Sequence, residues 1–169
     1  MARASGWLLV FASLATFIAG ARASPDAGAP ELVAVLELDN QLPPAQRDQL
    51  GDRSRFSEAL RQAIRAVRSP HRVLSRAEMQ ELASANPEQL DRCDDRDCQA
   101  LGRLLGADAV LESAVLREKE ELVLSLRLVD TRSGKTRAEV KIRAATVEAL
   151  LAAAGPAAAS LIAPPAARP

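Results

Sequence analysis

Apolar and polar residues alternate along residues 121–130, ELVLSLRLVD, and this pattern restricts the fold more than any other feature of the chain. Four leucines stand at every second position: Leu122, Leu124, Leu126 and Leu128. Successive side chains of a β-strand point to opposite faces, so the pattern predicts a strand with one buried face. Residues 109–116 and 135–143 flank it as further strands, and DTRSG at 130–134 is a turn by composition. We therefore expect an antiparallel three-stranded meander, one face on the core and the other wet or only partly covered.

The N-terminal half of the chain predicts a parallel β-α-β unit. Residues 31–39, ELVAVLELD, are almost continuously apolar, which suits a central strand covered on both faces. Apolar residues at intervals of three and four in residues 52–67 predict an amphipathic helix, with Asp52 or Ser54 as its N-cap. Residues 71–76, HRVLSR, are interpreted as a short second strand. Strand, helix and strand in this order imply a right-handed parallel crossover.

Two helices are predicted between this unit and the meander. Ser75 and Glu78 have the spacing of a capping box, so a helix is expected to begin there, bury Met79 and Leu82, and end before Pro87. The second helix is expected within residues 99–108, QALGRLLGAD, with three leucines on one face: Leu101, Leu104 and Leu105.

Two glycines of that second helix carry information of their own. Gly102 lies in its interior, where glycine costs about 1 kcal/mol relative to alanine, and this indicates a close approach of another part of the chain. Gly106 suits a left-handed position at the C-terminal end.

A last helix completes the predicted fold. Thr146 can act as its N-cap, and Pro156 is expected to kink the helix or end it before Leu161. The order of elements is then β-α-β-α-α-β-β-β-α, with a mixed sheet that ends in the antiparallel meander. We predict the α/β (mixed α+β) fold class and a single domain.

The first residues have the layout of a secretory signal. Arg3 supplies a positive start, residues 7–20 are apolar, and residues 21–23 match the small-x-small pattern before a cleavage site. We expect cleavage between Ala23 and Ser24, followed by a disordered linker (24–30), the folded domain (31–162) and a disordered tail (163–169). Because serine and not cysteine follows the cut, the sequence predicts a periplasmic protein that is not a lipoprotein, with no stable membrane insertion after cleavage.

Both cysteines of the chain lie in the aspartate-rich segment CDDRDC, as Cys93 and Cys98. Zinc sites use three or four protein ligands, and the chain adds only one histidine to this pair. A calcium loop of the EF-hand type needs Gly at its sixth position and Glu at its twelfth. Counted from Asp91, these positions hold Arg96 and Gly102. Redox pairs usually have Cys-x-x-Cys spacing. In an exported protein we expect a Cys93–Cys98 disulfide, worth about 2 kcal/mol in the chain-entropy model.

Composition argues against two classes of function. The formal net charge is +0 and aromatic residues make up 2% of the chain, unlike the basic and aromatic surfaces that bind nucleic acids. No set of acid, base and nucleophile can be assembled from the motifs, so we expect no enzyme activity, no metal and no cofactor. His71, on the second predicted strand, is interpreted as structural.

Five segments occur in the order and spacing of one known group of domains. They are VAVLELDN, FSEALRQAIRAV, HRVLSRAEMQELASAN, LGRLLGADAVLESAV and LSLRLVDTRSGKTRAEV. In these segments the chain resembles the N-terminal domain of TolB and the α/β domain of CsgG-like envelope proteins, over about residues 31–162. We expect the protein to differ from these relatives in lacking the propeller of TolB and the lipidation cysteine and inserted hairpins of CsgG.

This resemblance implies a non-enzymatic module for protein interaction or assembly in the bacterial envelope, with an envelope protein as its partner. The exposed face of the meander is where we expect that partner to bind. The alternative is a small-ligand-binding or sensory domain that uses a groove at the end of the sheet.

Overall fold

The computed structural model describes residues 30–67, 71–84 and 95–162, with side chains from residue 99 onward in the last range. The described residues form six strands: β1 (Glu31–Val35), β2 (Asp39–Asn40), β3 (His71–Val73), β4 (Ala109–Glu118), β5 (Glu121–Asp130) and β6 (Thr136–Ala144). They also form a 3-10 helix (Pro44–Leu50) and four α-helices: α1 (Arg53–Ala66), α2 (Arg76–Leu82), α3 (Asp95–Leu105) and α4 (Val147–Ile162). The predicted fold class, a mixed α+β single domain, is confirmed.

All six strands belong to one mixed sheet with the order β3-β1-β4-β5-β6, and β2 also pairs with β4. β1 runs parallel to β3, as the β-α-β unit predicted, and it also runs parallel to β4. β4, β5 and β6 are antiparallel neighbours and form the predicted meander. β6 therefore lies at one edge of the described sheet and β3 at the other.

The first predicted strand differs from the expectation, because it is interrupted after Val35. β1 ends there, β2 covers only Asp39–Asn40, and both pair with β4. The 3-10 helix then occupies most of the segment between β2 and α1 and begins after Pro43, at Pro44. Since a 3-10 turn tolerates proline at its start, the two prolines fit this short helix.

α1 and α4 pack on one face of the sheet and build the larger core. The apolar stripe predicted for the first helix is buried as Phe56, Leu60 and Ile64. Asp52 is its N-cap and accepts a hydrogen bond from the Ser54 backbone N–H at 2.9 Å. From the sheet, this core receives the four alternating leucines of β5, as predicted: Leu122, Leu124, Leu126 and Leu128.

α2 and α3 pack on the opposite face, over β1 and the start of β4. The capping box of α2 is confirmed, with Ser75 and Glu78 each accepting the other's backbone N–H. Met79 is buried as predicted, but Leu82 is 47% exposed, so the expectation that it is buried is wrong. On α3, Leu104 is 44% exposed, whereas Leu101 and Leu105 are buried.

Pro156 is expected to kink or end the last helix; α4 continues through it to Ile162, so the proline does not end the helix. A proline inside a helix has no N–H to donate to the carbonyl four residues earlier. In α4 this is the carbonyl of Ala152. Both Ala152 and Pro156 are exposed. Water can therefore hydrate that carbonyl, and the helix tolerates the proline at this position.

Gly102 confirms the predicted close approach. A Cβ atom placed on Gly102 would overlap the side chain of Thr131, which follows β5. Thr131 is 3% exposed, and its hydroxyl donates to the Ala107 carbonyl at 2.6 Å. Gly106 has φ +64°, the left-handed conformation predicted for the end of α3. The contact between Gly102 and Thr131 thus sets how closely α3 lies to the end of β5.

Gly102→Ala is expected to lower the free energy of unfolding by about 1–3 kcal/mol, although alanine favours helices, because the added methyl group overpacks a filled site. Urea denaturation measures the change. Gly102→Ala combined with Thr131→Ser should recover part of the loss, since serine lacks the overlapping methyl group. An unchanged or increased stability of Gly102→Ala would contradict the contact.

Candidate interaction surface

The described helices leave one face of the meander open. On β5 the leucines point toward α1 and α4, so Val123, Ser125 and Arg127 point to the other side. α2 and α3 lie on that other side but pack against residues near its far end, such as Ala34 and Val110. The open face is thus made of β4, β5 and β6, where the sequence predicted a partner surface.

Cross-strand pairing arranges the open face in rows. Glu112, Arg127 and Glu139 are register partners across β4, β5 and β6. Arg127 Nη2 lies 2.6 Å from Glu112 Oε2, in a half-buried ion pair. The next row has small residues in β4 and β5, Ala114 and Ser125, followed by Lys141 in β6. The row that contains the ion pair therefore lies beside a row whose small side chains leave space above the sheet.

A groove of about 350 Å³ lies over these rows. One wall is the segment 36–41, which contains the break between β1 and β2, and the other wall is β6. Polar residues that line it include Glu37, Asp39, Gln41, Glu118, Ser125 and Lys141. Its size falls in the range of small-ligand sites, and its polar lining can form hydrogen bonds and ion pairs with a peptide or a polar ligand.

A buried polar network supports the wall of the groove at the strand break. Arg61 on α1 is 1% exposed, and its Nη2 lies 2.8 Å from the Val35 carbonyl and 3.2 Å from Glu37 Oε1. The Ser57 hydroxyl donates to Glu37 Oε2 at 3.1 Å and accepts the Leu38 backbone N–H at 3.1 Å. Side chains of α1 thus replace hydrogen bonds that the interrupted strand no longer makes with β4.

The sequence analysis missed this network. Its members fall inside patterns that otherwise predict burial: Glu37 interrupts the apolar run 31–39, and Ser57 and Arg61 border the apolar stripe of α1. Charged residues in a stretch that must be buried require partners, so this was an available signal. Their pairing with one another depends on the tertiary contact between α1 and the strand break.

A second polar cluster ties together the opposite end of the sheet. Arg137 on β6 pairs with Asp130 at the end of β5 and with Glu31 at the start of β1. Glu31 also lies 3.1 Å from His71 Nδ1, and the His71 Nε2 atom lies 3.0 Å from the Ile162 carbonyl. His71 thus joins three elements of the fold, in keeping with the structural role expected for it.

Asp130 is held in its ionised form by this cluster. Burial opposes ionisation, but the Ser133 backbone N–H and the Arg137 guanidinium outweigh it and lower the pKa of Asp130 from 3.8 to about 2. In the unfolded chain this carboxyl takes up its proton at higher pH, so the unfolded state binds more protons as the pH falls. The cluster therefore stabilises the fold above pH 4, and that contribution is lost as the pH falls toward 2.

Asp130→Asn is expected to lower the free energy of unfolding at pH 7 by about 2 kcal/mol and to have little effect near pH 2. Urea denaturation of both proteins between pH 7 and pH 2 measures the difference. Asp48→Asn, in the exposed 3-10 helix, serves as the control and should show no comparable change. A difference between wild type and Asp130→Asn that stays constant with pH would contradict the account.

The other predicted site residues are not placed by the structure. Ala23 and Ser24 at the expected cleavage site, Cys93, and the side chain of Cys98 lie outside the described residues. The described part of the chain contains no disulfide, and the predicted Cys93–Cys98 bridge is not tested by it.

Residues 30–67, 71–84 and 95–162 include neither a metal-ligand cluster nor a membrane-spanning helix. No group of three or more His, Cys, Asp or Glu side chains there is arranged to hold a metal ion. None of the described helices is both long enough and apolar enough to cross a membrane.

Comparison with known proteins gives matches among solved structures only. No family model matches the chain, and no curated protein matches it. The LpoB C-terminal domain from Salmonella enterica is 16% identical, with a TM-score of 0.56 over 70% of this chain and 85% of that one. The same domain from Escherichia coli is 17% identical, with a TM-score of 0.55 over 72% and 87%. Lipoprotein GNA1162 from Neisseria meningitidis is 21% identical, with a TM-score of 0.47 over 68% and 80%. The chain is therefore similar in fold to the LpoB C-terminal domain.

These matches correct two predictions. The resemblance to the TolB N-terminal domain and to CsgG-like domains is wrong, since the fold is similar to that of LpoB C-terminal domains. The five segments that suggested it encode strands, helices and a glycine helix end, which other α/β domains share. The prediction of a periplasmic protein that is not a lipoprotein also finds no support in these matches, one of which is a lipoprotein. The identity of residue 24 was too narrow a basis for it.

Proposed function

We propose that the chain is a non-enzymatic protein-interaction module of the bacterial cell envelope and that it binds its partner through the open face of β4, β5 and β6. The observation that carries this proposal is the contrast between the two faces of the meander. One face is filled by the leucines of β5 beneath α1 and α4, whereas the other presents ordered charged rows and a groove.

Two further observations support the proposal. The fold is similar to that of the LpoB C-terminal domain, and the secretory pattern in residues 1–23 agrees with a place in the envelope. The open face is also suited to recognition and not to strand aggregation, because its alternating charges on β6 disfavour pairing with unselected strands.

Affinity capture with the tagged full-length chain tests the proposal. Charge reversal on the open face, Lys141→Glu with Arg143→Glu, should abolish capture of a partner that the wild type captures reproducibly. These side chains are 58% and 55% exposed, so the fold should tolerate the change.

The matched control reverses two exposed arginines of α1 on the covered side of the sheet, Arg55→Glu with Arg65→Glu. This variant should capture the same partner as the wild type. Equal loss of the partner in both variants, or no partner with the wild type, would overturn the proposal.

A second candidate function is the binding of a small polar ligand in the groove, which its volume of about 350 Å³ favours. A metabolite that raises the melting temperature with saturation, and that loses this effect in Asp39→Ala, would support this function. A screen without such a metabolite would leave protein binding as the better explanation of the open face.

A further inference from the structure

Four residues form one continuous row across the open face. Asp39 on β2 is the register partner of Ala114 on β4, Ala114 pairs with Ser125 on β5, and Ser125 pairs with Lys141 on β6. Paired residues of neighbouring strands point to the same face, so all four side chains belong to the groove that they line. Adjacent strands are about 4.8 Å apart, so about 14 Å separates the Cα atoms of Asp39 and Lys141.

The middle of this row is low because alanine and serine are small. The row on one side of it has three long charged side chains: Glu112, Arg127 and Glu139. The row on the other side also has large side chains: Leu116, Val123 and Arg143. The row from Asp39 to Lys141 is thus the floor of a trough that runs across the strands, with a carboxylate at one end and an ammonium group at the other.

The charges of Asp39 and Lys141 make weaker contacts within the fold than the charges of Glu112 and Arg127 in the neighbouring row. The Asp39 carboxylate accepts a hydrogen bond from Gln41 Nε2 at 2.8 Å, which leaves its negative charge unneutralised by that contact. Lys141 is 58% exposed, and its ammonium group lies 3.6 Å from Glu139 Oε1, an exposed pair of the kind that contributes at most about 1 kcal/mol. In contrast, Glu112 and Arg127 form a half-buried pair at 2.6 Å.

We propose that the trough binds an extended segment of a partner protein that presents a basic side chain to Asp39 and an acidic side chain to Lys141. An extended chain advances about 3.3 Å per residue, and every second side chain lies on the same face. Two residues four positions apart are therefore about 13 Å apart and point the same way, which matches the length of the row. Small residues between them fit the low floor at Ala114 and Ser125. This inference rests on the proposed function and names the chemistry of the partner.

Short peptides with capped ends test the inference on the full-length chain. The probe is Lys-Ala-Gly-Ala-Glu, and the controls replace its end residues to give a Lys/Lys peptide and a Glu/Glu peptide. In ¹⁵N-resolved NMR spectra, the Lys/Glu probe should shift the amide signals of Ala114 and Ser125 with saturation. Because one exposed ion pair is worth up to about 1 kcal/mol, each control peptide should bind up to about fivefold more weakly.

Charge changes in the protein should exchange this preference. Asp39→Lys presents two cations and should prefer the Glu/Glu peptide, whereas Lys141→Glu presents two carboxylates and should prefer the Lys/Lys peptide. Equal binding of all three peptides, or signal shifts away from the trough, would overturn the inference. So would single variants whose preferences do not change.

Partner capture separates this inference from the proposed function. If Asp39→Lys still captures the partner while the Lys141→Glu/Arg143→Glu variant does not, the open face binds the partner without the Asp39 end of the trough and the inference fails alone. If neither the wild type nor any variant captures a partner, the proposed function fails as well.

Discussion

Arg61→Met is expected to lower the free energy of unfolding by about 3–5 kcal/mol, the largest effect of any exchange considered for this chain. The guanidinium of Arg61 is buried, and it compensates both the carboxylate of Glu37, whose side chain is 11% exposed, and the Val35 carbonyl at the strand break. Methionine fills a similar volume but leaves the carboxylate without its nearest cation. Urea denaturation at pH 7 measures the loss.

A second exchange separates the unpaired charge from the loss of packing. Glu37→Leu combined with Arg61→Met removes both charges and should restore much of the lost stability, because a buried ion pair can be replaced by apolar residues at little net cost. Arg65→Met is the matched control on the same helix, where an exposed arginine lies 3.9 Å from Glu58, and should change stability by less than about 1 kcal/mol. Equal effects of Arg61→Met and Arg65→Met would contradict the buried network.

Leu124→Ala is expected to cost about 2–5 kcal/mol of unfolding free energy. Leu124 is fully buried between β5 and the helices α1 and α4, so truncation removes apolar contacts and leaves a cavity. Ser125→Ala, at the next position and on the open face, should change stability by less than about 0.5 kcal/mol. Thermal or urea denaturation of the two variants compares the faces directly. A costly Ser125→Ala beside a tolerated Leu124→Ala would mean that the faces are assigned the wrong way round.

The parts of the fold that the sequence predicted are those with a local cause. The alternation in β5 states which side chains share a face, and the capping box of Ser75 and Glu78 marks the start of α2 within four residues. Gly102 indicated a close approach, because glycine destabilises a helix interior relative to alanine and a contact is needed to offset that loss. In each case the pattern and the structure it specifies lie in the same short segment.

The parts that the sequence did not predict depend on contacts between distant segments. The pairing of Glu37 with Arg61 joins the break between β1 and β2 to a helix residue 24 positions later, and no local pattern specifies it. The exposure of Leu82 and Leu104 depends on how much of the sheet α2 and α3 cover, which periodicity does not report. The candidate site combines a feature that the sequence predicted with one that it did not. The alternation in the strands predicted the exposed face of the meander, but the row from Asp39 to Lys141 depends on the register across β2, β4, β5 and β6.

Site-specific photo-crosslinking in the native host tests the central claim most directly. A photoreactive residue replaces Lys141 on the open face in one variant and Arg65 on α1 in another, since both positions are exposed and lie on opposite sides of the sheet. The account predicts that the variant at position 141 crosslinks to a specific envelope protein and that the variant at position 65 does not. Crosslinks to the same protein from position 65 alone, or from neither position, would contradict it.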